Sequence, residues 1–311
     1  MLLSRDHFRA DPNDFIIAVM GPTGSGKTNF INKLTGNAEQ HVASNLKSDT
    51  QHVIPYPIFH YGLRLVLVDT PGFDDTYRQD AEILRVVADW LIRKYPDGTT
   101  LKISGIIYLH RITDNRMSGS VYKNLQMFGR LCGHGPLRRT RLVTTMWDNA
   151  KDRVAAQNRE DQLTGEFWRQ LIDEGAITRR FYNSSSSAWG IVDDLLCMGT
   201  DGDELLLQEE LVEHQKRLNE TEAGKILYTR LQRLLAEQRK MLNELSEAAK
   251  VLSDPAQAKN LQEEYGKIDA QLQKTFEKMK EMKIPLSRRI ILRLFGRKSR
   301  VQAVKLDQLP V

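Results

Sequence analysis

The chain has 311 residues, 41% of them hydrophobic and 27% charged, with a formal net charge of +5. These are the values of an ordinary protein that folds in water as more than one domain, and they exclude disorder and a membrane-spanning class. Only two cysteines are present, Cys132 and Cys197, which excludes a disulfide framework and a four-ligand zinc site and fits a reducing cytosol.

The first fifteen residues hold no apolar run long enough for a signal-peptide core, and nowhere do eighteen apolar residues run together, so neither secretion nor a membrane span is expected. The first apolar run, Phe15 to Met20, reads as a buried strand. Directly after it, Gly21-Pro22-Thr23-Gly24-Ser25-Gly26-Lys27-Thr28 satisfies GxxxxGK(S/T), and a helical stretch from Asn29 to Leu34 follows. Strand, glycine loop and helix together form the context in which this motif wraps a polyphosphate. The glycines let successive N–H groups point inward, and the helix turns its positive end to the same anions. Lys27 would neutralise the terminal phosphates, and the Thr28 hydroxyl would ligate Mg²⁺, a hard ion that prefers oxygen.

The polar loop Ser44 to Gln51 carries Thr50, expected to be the threonine that closes over the metal, with Thr35 as its competitor. Pro57 to Tyr61 reads as an antiparallel edge strand, and Leu63 to Val68 as a second buried strand. That strand ends in Asp69-Thr70-Pro71-Gly72, about forty residues beyond the glycine loop. Asp69 is the expected second magnesium partner, and the Gly72 N–H is placed to meet a γ-phosphate. Ala81, Leu84, Val87, Ala88 and Leu91 recur at helical spacing, as do Val121, Leu125, Phe128 and Leu131. Between them Ile103 to His110 reads as a strand, followed by Arg111 and Arg116. The next strand, Arg141 to Met146, leads into Thr145-Met146-Trp147-Asp148, where an NKxD base-recognition motif would stand. Asp148 is in place to accept from a guanine N1–H and exocyclic amine, but Thr145 replaces Asn and Met146 replaces Lys. Arg179 to Asn183 is the last expected strand, and Ser184 to Ser187 is a low-complexity patch.

The texture changes near Asp203, where Leu, Glu, Gln, Lys and Arg take over. Leu227, Leu231, Leu234, Gln238, Met241, Leu245, Ala248 and Leu252 step as a coiled-coil seam. After the break Ser253-Asp254-Pro255, a second stripe runs through Leu261, Tyr265, Ile268, Leu272, Phe276 and Met279. The economical reading is a helical hairpin, and the alternative is one broken helix paired with another chain. Between Pro285 and Arg300 six Arg or Lys residues occur with no acid. There Leu286, Ile290, Ile291, Leu294 and Phe295 share one side of a helix, which suits reversible contact with an anionic membrane surface or, alternatively, packing on the preceding domain. No aromatic platform accompanies the charge, so no nucleic-acid ligand is expected.

GPTGSGKT, Thr50, DTPG, the segment IIYLHRITDNRMSGS and T-x-x-D resemble the septin-related group of translation-factor-class GTPases. The resemblance is to its immunity-associated and avirulence-induced branch with the chloroplast-envelope relatives, and covers about residues 14 to 195. It implies an α/β fold, a three-layer P-loop GTPase sheet with helices on both faces, here followed by an α-helical hairpin. It also implies GTP or GDP with Mg²⁺ as ligands and assigns Asn183, after the last strand, to the base. Phe73 follows DxxG where small GTPases of the Ras type place a glutamine, so slow hydrolysis is expected. As dimerising GTPases imply, a homodimer through this domain would assist, with Arg111 or Arg116 delivered across it.

The expected domains are residues 1–200 (nucleotide binding), 203–283 (hairpin, with a possible protein partner) and 284–311 (basic tail). The expected role is a cytoplasmic GTP-dependent switch or assembly factor, peripheral on a membrane if the tail binds one. The rivals are an ATP-using or promiscuous NTPase and a non-hydrolysing nucleotide-bound scaffold.

Overall fold

A computed structural model describes residues 9–36, 52–72, 77–251, 263–273, 302–304 and 306. The described residues fall into two compact units, the first running to Leu218 and regaining the chain at 302–304 and 306, the second beginning at Asn219.

In the first unit six strands form one sheet in the order β2-β3-β1-β4-β5-β6. They are β1 (Phe15–Met20), β2 (Ile54–His60), β3 (Leu63–Asp69), β4 (Gly105–Arg111), β5 (Thr140–Thr145) and β6 (Ile177–Arg180). Only β2 is antiparallel to its neighbour. Every residue of β1 is buried, as a central parallel strand covered on both faces requires. One face packs Phe15, Ile17, Val19, Leu65, Ile107 and Leu109 against Phe30, Ile31 and Leu34 of α1 (Lys27–Thr35) and Ile191, Val192 and Leu195 of α6 (Ser185–Leu196). Each of these helix side chains contributes roughly 2 kcal/mol of burial, which is what fixes α1 and hence the loop before it. From the other face Tyr108 meets Phe128 of α3 (Gly119–Cys132), their ring centroids 4.6 Å apart. α2 (Tyr77–Leu91) buries Leu84, Val87, Ala88 and Leu91 as its periodicity predicts.

At the outer edge, β2 pairs Pro55 with Val68 and Pro57 with Val66. Proline has no N–H to give, so both sit at positions that turn away from β3.

Several boundaries differ from the sequence reading. β4 begins at Gly105 rather than Ile103, because Ile103 forms an isolated bridge with Asp203. β6 covers Ile177–Arg180 rather than 179–183: the Phe181 N–H still donates to the Thr144 carbonyl, but Asn183 turns to φ 56 and leaves the sheet. α4 (Arg153–Gln162), α5 (Arg169–Asp173) and α6 are additions. The serine patch is the start of α6, where the Ser184 hydroxyl accepts from the Ser187 N–H.

The boundary expected near Asp203 falls later. α7 (Leu206–Val212) belongs to the first unit, where the Gln208 amide donates to the Leu91 and Leu101 carbonyls at 2.7 and 2.6 Å. The chain end also differs from a separate 284–311 tail, since the Gln302 carbonyl accepts from the His134 N–H at 3.0 Å and Val304 is buried beside Gly129 of α3. Ile284 to Arg300 lies outside the described residues.

The second unit contains α8 (Glu222–Val251), capped by the Thr221 hydroxyl, which accepts from the Gly224 N–H. Leu227 and Gln238 of the expected seam are buried, but Met241 is 52% exposed and Leu242 is buried in its stead. Leu235, Gln238, Leu242 and Leu245 also step by three and four, so neighbouring residues offer a second stripe that overlaps the expected one; the side chains of Leu231, Leu234 and Ala248 lie outside the description. Residues 263–273 are helical, while the Ser253–Pro255 break, Leu261, Phe276 and Met279 lie outside the described residues. No helix among the described residues is long and apolar enough to cross a membrane.

Candidate functional site

The carboxyl ends of β1, β3, β4 and β5 converge on the glycine loop, where open α/β sheets bind ligands. Gly21 leaves β1 at φ 139, and a Cβ on it would lie 2.3 Å from the Leu109 carbonyl oxygen, so no other residue fits. Gly24 and Gly26 follow at φ 76 and 92, curling the backbone into α1.

Lys27 opens that helix and is only 7% exposed. Its ammonium donates to the Gly21 and Pro22 carbonyls at 3.0 and 3.1 Å. Burial lowers its pKa to about 8, with the Asp69 charge opposing and the Arg111 charge adding to the shift. The Thr28 hydroxyl donates to Asp69 Oδ2 at 2.7 Å across the ends of β1 and β3. Asp69 is 1% exposed, and burial raises its pKa against the Thr28 hydrogen bond and the Lys27 charge. Its second oxygen, Oδ1, is buried with no hydrogen-bond partner, as are the Thr23 and Ser25 hydroxyls. A buried polar group left so is costly unless a ligand meets it. The Thr28 and Asp69 oxygens suit Mg²⁺, whose other ligands would be phosphate and water. Among the described residues no cluster of three or more His, Cys, Asp or Glu offers an all-protein metal site.

The Asp69-Thr70-Pro71-Gly72 turn folds onto the loop. The Thr70 hydroxyl donates to the Val19 carbonyl at 2.8 Å, and a Cβ on Gly72 would lie 2.6 Å from the Thr23 hydroxyl and 2.7 Å from its backbone nitrogen. Thr35 ends α1, seven residues and about 10 Å along the helix from Thr28, too far to share its metal. Thr50 and Phe73 lie outside the described residues.

Arg111 ends β4 beside its own chain's loop, where a Cβ on Gly24 would come within 3.0 Å of its Nη1. Asp114 holds its Nε at 3.0 Å. Both line a cleft of about 270 Å³ with Pro22, Thr23, Arg116 and Asn124, and Arg116 is exposed. The Arg111–Asp114 pairing was missed in the sequence, although the three-residue spacing was its signal.

The residues expected at the base also come together. The Thr145 hydroxyl donates to the Ser25 carbonyl at 2.9 Å, tying β5 to the glycine loop. The Asn29 amide donates to Asn183 Oδ1 at 2.9 Å, and the Asn183 amide donates to Asp148 Oδ2 at 2.7 Å. Met146 and Asn183 both have positive φ, which turns the two loops toward each other. Trp147 is a core residue: its indole N–H donates to the Thr144 hydroxyl, and the Arg180 guanidinium lies 4.3 Å above its ring. Glu160 braces that layer, accepting from Thr144 at 2.9 Å and from Arg180 Nε at 2.8 Å. This network of α4, β5 and β6 left no sequence signal, since its members lie far apart in the chain.

A larger cavity, about 710 Å³, opens at the amino ends of β4 to β6, among His134, Arg139, Glu174 and Asp203. Its ionic groups serve one another: His134 meets Glu174 at 2.6 Å, and Arg139 donates to the Gly199 carbonyl. The glycine loop lies at the other end of the sheet.

Residues 16–113, which hold the glycine loop, Asp69, Gly72 and Arg111, match the family model described as 50S ribosome-binding GTPase. The first unit has the fold of the P-loop GTPases. Solved structures similar to the chain include Toc33 from Arabidopsis thaliana in complex with Mg²⁺ and GMPPNP, at 19% identity over 55% of this chain and 72% of that one, with a TM-score of 0.44. Era from Aquifex aeolicus bound to GDP·AlF₄⁻ is 14% identical over 61% of this chain and 58% of that one, with a TM-score of 0.44. The elongation factor SelB from Methanococcus maripaludis in complex with GppNHp is 15% identical over 61% and 34%, with a TM-score of 0.38. No curated protein sequence matches the chain. The glycine loop with Lys27 and Thr28 adjoins Asp69 on one side, and Asn29, Thr145, Asp148 and Asn183 meet on the other, so the residues expected at the phosphates and at the base are continuous.

Proposed function

We propose that this protein binds GTP and GDP with Mg²⁺ and hydrolyses GTP slowly, using the nucleotide state to alter the surface around Thr50 and Gly72. The observation that carries this reading is the 2.7 Å pair of Thr28 with Asp69, whose other oxygen is buried and unpartnered at the mouth of a glycine loop. The loop amides and Lys27 hold and neutralise the phosphates, and Thr28, Asp69 and Thr50 hold the metal. When bound, Mg²⁺ draws charge from the phosphate oxygens and steadies the departing diphosphate. Asp148 accepts from the guanine edge, held in place by Asn183, and Thr145 anchors the base loop through Ser25. Phe73 offers no group to orient water, which accounts for a low intrinsic rate.

Arg111 stands beside its own Gly24, so positive charge at the phosphate end is available in cis. A second GTPase domain would then assist by ordering the segments around it. Turnover per molecule, measured against protein concentration, should rise if that assistance operates; a flat profile leaves Arg111 acting alone. Magnesium-dependent phosphate release, absent in Lys27→Ala, tests hydrolysis, and its absence in the wild type would favour the scaffold rival. Competition of GTP and ATP for nucleotide-stripped protein tests the base: equal affinities would favour a promiscuous NTPase, the reading that the missing Asn and Lys of NKxD support. We place the protein in the cytoplasm, with the second unit serving a protein partner and Ile284 to Arg300 making peripheral membrane contact. Loss of liposome co-sedimentation on deleting the segment after Ile284 is the expected result.

A further inference from the structure

The site has a direction. Asn29 is bonded to Asn183 and so belongs to the base end, while Thr28 is bonded to Asp69 and marks the metal end. Gly72 follows Asp69 in the same turn and lies against Thr23, which places Thr23 beyond the metal pair, farthest from Asp148. The Thr23 hydroxyl is buried there with no hydrogen-bond partner. It faces the turn holding Gly72, whose N–H is expected to meet a third phosphate, and it lines the same cleft as Arg111. A buried hydroxyl without a partner is costly, whereas one that donates to a charged oxygen gains more than an ordinary hydrogen bond.

Resting on the GTPase reading above, we propose that the Thr23 hydroxyl donates to the terminal phosphoryl group of GTP and is a residue by which the domain tells GTP from GDP. A diphosphate ends nearer the metal pair and leaves the hydroxyl unmet. Through its contact with Gly72 the same side chain then reports the third phosphate to the turn from Asp69 to Gly72.

The test compares equilibrium binding of GDP and of GMPPNP, both with Mg²⁺, to wild type, Thr23→Val and Thr23→Ser. Valine keeps the branched shape against Gly72 and removes only the hydroxyl, and serine keeps the hydroxyl and removes the methyl. The expected result is that Thr23→Val weakens GMPPNP roughly tenfold or more while GDP changes by less than about twofold, and that Thr23→Ser preserves the wild-type ratio. Equal weakening of both nucleotides, or none of either, overturns the proposal with the GTPase reading intact. A wild-type protein that binds neither nucleotide overturns both.

Discussion

Lys27 is a charged group that the fold buries, and if it is there to meet phosphate, replacing it with methionine should stabilise the nucleotide-free protein. Lowering a lysine from its usual 10.5 to about 8 corresponds to roughly 3 kcal/mol of burial cost at neutral pH. The two carbonyls that accept from the ammonium recover part of this, so the net gain expected for Lys27→Met is about 1 to 2 kcal/mol, or roughly 3 to 6 °C in Tm. Below about pH 8 the lysine is protonated both folded and unfolded, and the folded state bears the full cost. Between about 8 and 10.5 the folded state releases its proton first, so the wild type gains stability with rising pH and the advantage of methionine fades. The assay is thermal unfolding of stripped protein from pH 7 to 10.5, alongside binding of a fluorescent GTP analogue, which the variant should lose. If Lys27→Met unfolds more readily than wild type at pH 7, the ammonium belongs to the fold and the reasoning fails.

Gly72→Ala forces a Cβ to within 2.7 Å of Thr23 backbone atoms, so the turn must move; phosphate release should fall at least tenfold with GDP affinity nearly unchanged, as stopped-flow and titration would show. Asp148→Asn exchanges an acceptor for an amide and should shift preference from GTP toward xanthosine triphosphate, measured by competition. Thr145→Val removes the hydrogen bond to the Ser25 carbonyl while keeping the shape; urea unfolding should show a loss of about 1 kcal/mol, with GTP and GDP weakened to the same degree.

The parts of the site that a reader finds in the sequence are the contiguous ones. β1, the glycine loop and α1 occupy consecutive residues, so apolar run, glycine spacing and helix period all point to one answer there. The four-residue Asp69 turn is equally local. α4 escaped because Arg153 to Gln162 buries little beyond Ala156 and Glu160, and its start depends on Asp152 accepting from the Val154 and Ala155 N–H groups. β6 was misplaced because the apolar Phe181 and Tyr182 drew the strand onward to Asn183, whose positive φ carries the chain out of the sheet, while Ile177 and Thr178 begin it two residues earlier. The cis placement of Arg111 and the burial of the Thr23 hydroxyl depend on which strands are neighbours, information that no local pattern carries.

The two prolines of β2 bear on how copies of this domain can meet. With donors missing at Pro55 and Pro57, the rim of the sheet offers a second copy few main-chain hydrogen atoms to grip, so a strand laid alongside would find carbonyls and little else. A second copy meeting the domain at this rim would therefore hold by side-chain recognition, which can be reversed, rather than by fusion into a continuous ribbon, which seldom is.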